Sequence, residues 1–115
     1  MSESKPHAHV ADLIASVQFA SKGIVSKTMY DSPALKLVLF CFEAGQVMSE
    51  HTAPFEAVIQ VLQGTASVIL GGAEHAAAPG AVYVMPEGLT HAITAKEPFV
   101  FLLTLVKAPR PVALK

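Results

Sequence analysis

From residue 22 onward, short apolar runs alternate with turn residues. The segment KGIVSKTMYD is rich in β-branched residues and stops at Asp31-Ser32-Pro33. ALKLVLFCFEAG runs from Pro33 to Gly45, QVMSEHTA stops at Pro54, and EAVIQVLQG closes at Gly64. TASVILGG, AEHAAAPG, AVYVM before Pro86, THAITA and FVFLLTLVKA before Pro109 complete the series. Nine short runs, each bounded by turn chemistry, predict nine strands and an all-β sandwich or barrel. Gly71-Gly72 predicts a two-residue hairpin, because glycine tolerates the positive φ of a type I′ turn.

Two of the runs break the usual alternation. LKLVLFCF and FVFLLTLV are apolar at both parities, so each is expected to be buried on both faces. Their outer faces need cover, and a second copy of the chain is the expected cover. The result would be a homodimer, with the GIVSKTMY strand exchanged across it. Before the strands, Val10, Leu13, Ile14 and Val17 recur at roughly helical spacing and predict a short helical turn. The polar start MSESKPHAH is expected to be loose. The chain thus divides into an N-terminal arm over 1–21, a β domain over 22–108 and a tail over 109–115.

Composition narrows the function classes. With 115 residues, the chain is one domain with room for a real core. Apolar residues make up 52% and charged residues 15%, which excludes disorder. The net charge is −1 and the charges are scattered, so no basic stripe offers itself to nucleic acid or an anionic membrane. No apolar run reaches the ~18 residues of a membrane span, and the start lacks the apolar core of a secretory signal. Cys41 is alone, so no internal disulfide can form, and it is read as a small buried hydrophobe. Together these features suit a cytoplasmic protein.

Two segments share a plan: a glycine, five residues, and a punctuating residue at or near a histidine. The second runs Gly80, AVYVM, Pro86, Glu87, Gly88, Leu89-Thr90, His91. It resembles the second motif of the cupins, with Ala95 where asparagine is common. The first segment, Gly45, QVMSE, His51, then Gly64, resembles the first cupin motif in part. Ala53 stands at that motif's second histidine and Ala57 at its glutamate. The resemblance spans residues 22–106 and implies a small single-domain cupin: an RmlC-like, double-stranded β-helix (jelly-roll barrel) with a pocket inside one end.

In metal-bearing cupins, three imidazoles and a carboxylate hold a first-row metal. The carry-over supplies only His51 and His91, fewer than structural or catalytic metal sites require. Glu56 lies one residue from the expected carboxylate position, and only a β-bulge between Pro54 and Val58 would turn it inward. The expected cofactor is therefore none, or one weakly held Ni, Fe, Mn or Zn ion. His7 and His9 have ligand-like spacing but lie in the polar arm. His75 is expected to face out and Glu87 to sit on the rim.

Ala53 and Ala57 would widen the pocket and remove charge. With Met48, Ile59, Val61 and Ile93, and with Tyr83 and Met85 on a strand that has one face toward the barrel, they predict an apolar cavity with two imidazole handles. Three functions remain open: a metal-poor binder of a small, partly apolar organic molecule anchored by His51 and His91; a metal-dependent oxygenase or isomerase with an incomplete ligand set; or a structural module without pocket chemistry. Imidazole could act as acid or base in the first. No reaction follows from the fold alone.

Overall fold

The computed structural model describes residues 5–107, so the tail expected over 109–115 lies outside the described residues. A single 3-10 turn, Ile14–Ser16, precedes nine strands. These are β1 (Ile24–Asp31), β2 (Leu35–Phe42), β3 (Val47–His51), β4 (Glu56–Gln63), β5 (Ala66–Leu70), β6 (Ala73–Ala77), β7 (Val82–Met85), β8 (His91–Ala95) and β9 (Phe99–Val106). Each falls on one of the apolar runs, because glycine and proline end the strands where the sequence places them. Among the described residues no helix is long and apolar enough to cross a membrane.

The strands form two antiparallel sheets. One has five strands in the order β1-β2-β9-β4-β7, and the other has four in the order β3-β8-β5-β6. Their inner faces enclose the main core, which includes Phe42, Ile59, Val68, Ile93, Phe99 and Phe101. β2 and β9 pair without a break from Leu35↔Val106 to Phe42↔Phe99 near the middle of the larger sheet. That position explains their apolar character at both parities. Phe40 stacks on Phe101 on the inner side, with ring centroids 5.0 Å apart and planes 13° from parallel. Leu39, Cys41 and Val100 form a second buried cluster.

Cover over that second cluster comes from the chain itself. Val17 and Phe19 of the arm pack against it, together with Val25 and Met29 of β1 and Leu62 of β4. One chain therefore covers this part of the sheet by itself. β1 pairs with β2, from Ile24↔Phe42 to Asp31↔Lys36. The arm is also docked earlier than its polar composition suggests. The His9 ring N–H donates to the Met29 carbonyl at 2.7 Å, and the ring lies 5.1 Å from that of Tyr30. The apolar side chains left uncovered include Val82 and Val84 on edge strand β7, each more than half exposed.

The motif glycines have different reasons to be glycine. Gly64 takes a positive φ of 80°, and a Cβ there would overlap the main-chain carbonyl of Pro98. At Gly45, Gly80 and Gly88 a Cβ would meet nothing within 4 Å, so only the positive φ favours glycine. Gly45→Ala is therefore expected to lower stability by about 1–2 kcal/mol, the strain of a left-handed alanine. Gly64→Ala adds a backbone clash and should cost roughly 4 kcal/mol or prevent folding. Urea denaturation of both variants checks this, and equal midpoints would contradict the close approach at Gly64.

Candidate functional site

His51 ends β3 and His91 begins β8, and the two strands pair. The register runs Val47↔Thr94 and Met48↔Ile93, then jumps to His51↔His91. Three steps on β3 therefore match two on β8, which is a β-bulge at Ser49 and Glu50. In an unbroken strand Met48 and Glu50 would share one face, and His51 would take the other. The extra residue returns His51 to the face of Met48, and Glu50 stays exposed. On β8, His91, Ile93 and Ala95 alternate as the buried face.

The two imidazoles meet at this step, with ring centroids 4.0 Å apart and planes at 61°. Each ring is held by the same local device. His51 Nδ1 lies 2.8 Å from the Ser49 carbonyl oxygen, and His91 Nδ1 lies 3.0 Å from that of Leu89. The turn before His91 is clasped to the loop after His51, because the Gly88 N–H donates to the Ala53 carbonyl at 3.0 Å. His91 is buried while His51 is exposed, so His51 stands at the mouth. Burial pushes the His91 pKa below its ordinary value of 6.5; the Leu89 carbonyl opposes that and the nearby His51 adds to it.

Behind the pair lies a cavity of about 60 Å³, lined by Phe40, Met48, His51, Ile59, Met85, His91, Ile93, Phe101 and Leu103. Its wall is apolar apart from the imidazoles. Neutral imidazole nitrogens facing an apolar space can hold a hydrogen-bonding ligand, or accept a proton from one.

The structure brings His51, His91, Met48, Ile59, Met85 and Ile93 together around one cavity. It leaves Ala53, Ala57 and Tyr83 off the cavity wall. Ala57 is buried with Met85 and Leu105 as its strand partners, and core packing takes up the space that its short side chain leaves. Ala53 contributes its carbonyl and not its methyl group. Tyr83 packs against the core nearer His75, with ring centroids 5.7 Å apart. Phe40, Phe101 and Leu103 were not identified from the sequence. They belong to β2 and β9, where apolar residues at both parities conceal which face looks inward.

No bulge turns Glu56 inward. The register of β4 on β9 is unbroken from Glu56↔Val106 to Val61↔Phe101, so Glu56 lies on the face opposite Ala57. Among the described residues, no group of three or more His, Cys, Asp or Glu side chains is placed to hold a metal ion. Two imidazoles do not fit the three-histidine, one-carboxylate centre that the cupin resemblance implies.

A family model described as the cupin domain matches residues 38–105. No curated protein matches the chain. Among solved structures, a conserved protein of unknown function from Streptococcus pyogenes is similar at 31% identity, with a TM-score of 0.79 over 92% of this chain and 93% of that one. An RmlC-like cupin protein from Desulfovibrio desulfuricans is similar at 29% identity, with a TM-score of 0.80 over 88% of this chain and 98% of that one. A salicylate 1,2-dioxygenase from Pseudaminobacter salicylatoxidans shares the fold at 18% identity, with a TM-score of 0.69 over 73% of this chain and 26% of that one.

The lowered His91 pKa has a consequence for stability. The unfolded chain binds a proton at His91 more readily than the folded chain does. This contribution to stability is therefore full above the unfolded value of about 6.5 and is lost as pH falls through the lower folded value. His91→Phe should flatten that part of the curve. Urea titrations of both proteins from neutral pH downward check this, and identical pH dependence would contradict it.

Proposed function

We propose, from the premise that the chain belongs to the cupin family, that its barrel binds a small, partly apolar organic molecule between His51 and His91 without a resident metal centre. The carrying observation is the pairing of two imidazoles at the mouth of an otherwise apolar cavity. The apolar wall favours the body of the ligand, and the imidazoles fix its polar end. A cavity of about 60 Å³ has room for about four to six non-hydrogen atoms, judged against the 10–15 Å³ that one water needs. Met48 and Met85 are flexible thioethers that can move aside for a slightly larger guest. Neutral imidazole leaves open a slow proton transfer on the bound molecule, so binding and catalysis share one site.

Elemental analysis of protein purified without an affinity tag is expected to find Ni, Fe, Mn, Zn and Cu far below one atom per chain. Saturation-transfer NMR against small neutral organics should detect binding that His51→Phe abolishes by filling the mouth. A near-stoichiometric metal that disappears in His91→Ala would overturn this reading in favour of a metal-dependent enzyme. Binding unchanged in His51→Phe would place the ligand elsewhere.

A second copy of the chain is the proposed cover for Val82 and Val84, which lie on an edge strand of the larger sheet. Light scattering is expected to give a dimer for the native chain and a monomer for a Val82→Glu, Val84→Glu double variant. A native monomer at micromolar concentration would contradict this.

A further inference from the structure

The protons on the imidazole pair decide what the cavity can hold. His51 and His91 each set Nδ1 against a main-chain carbonyl two residues back, at 2.8 Å and 3.0 Å. A carbonyl oxygen only accepts, so each Nδ1 carries the hydrogen. In the neutral ring the other nitrogen, Nε2, then presents a lone pair. The remaining side chains of the wall belong to Phe, Met, Ile and Leu, and none has a polar hydrogen to give. The side chains thus offer two acceptors and no donor.

We infer that the occupant is an uncharged molecule that brings its own donor hydrogens, such as a small alcohol, diol, enol or phenol, and not a carboxylate or a phosphate. This rests on reading the cavity as a binding site. An anion would require at least one imidazolium facing it, and no lysine or arginine lines the cavity to take that part. His91 is buried among apolar side chains, where a charged ring would lose its hydration. An anion without such a partner would lose its hydration to an apolar wall. A donor left without an acceptor carries a similar penalty in the opposite sense, and here two acceptors wait within one ring contact of each other. Hydroxyls on neighbouring carbons suit that pair.

Two measurements on the full chain test the inference. Long-range proton–nitrogen correlation spectra of the ligand-free protein, recorded well above the ordinary histidine pKa of about 6.5, should show both rings protonated at Nδ1 only. An Nε2–H form or an imidazolium in either ring would overturn it. The second measurement titrates three probes of equal size, each with three carbons and two oxygens: propane-1,2-diol, propanoate and dimethoxymethane. The diol should shift the Nε2 signals of His51 and His91 at roughly tenfold lower concentration than the other two. If propanoate or dimethoxymethane binds at the rings as well as the diol, the inference falls while the cavity remains a binding site. If no probe moves either ring at any soluble concentration, both the inference and the cavity reading fall.

Discussion

The β-bulge at Ser49 and Glu50 is the constraint on which the site depends. Strand geometry assigns side chains to faces with a period of two, and β3 would otherwise carry Met48 and Glu50 inward and His51 outward. One extra residue against β8 reverses this, so that His51 faces His91 across the strand pair. The exchange removes a carboxylate from the inner face and puts an imidazole in its place. That single step determines which polar side chain stands at the mouth.

The rest of the barrel packs around this arrangement. Phe40 and Phe101 stack across β2 and β9 at the floor of the cavity, and Phe42 and Phe99 continue the aromatic cluster behind them. The arm covers the outer side of the same strands through Val17 and Phe19, so the floor is packed from both faces. At the mouth, the hydrogen bond from Gly88 to Ala53 ties the two histidine-bearing segments together. Carbonyl oxygens then fix the rings, which leaves one nitrogen of each ring available for chemistry.

Much of this was legible in the sequence, for identifiable reasons. Strand limits followed from glycine and proline, whose backbone restrictions act locally, and all nine apolar runs became strands. The spacing of Gly80, Pro86, Gly88 and His91 identified the second histidine, and Gly45 and Gly64 bracketed the first. What stayed hidden depends on contacts distant in sequence. The strand pattern around Glu56 and His51 does not show where a bulge falls; it occurs beside His51, because the pairing with β8 creates it. Ala53 and Ala57 suggested added space, yet neither lines the cavity, and Ala57 is packed into the core. The outer face of β2 and β9 called for cover, and the pattern could not show that the weakly patterned arm supplies part of it.

The most direct test of the shared inner face is a nuclear Overhauser spectrum of the ligand-free chain with labelled histidine rings and methionine methyls. Cross-peaks between the ring protons of His51 and His91, and from His91 to the methyls lining the cavity, are expected for ring centroids 4.0 Å apart. A His51 ring that shows no contact with His91 would contradict the bulge and, with it, the paired site.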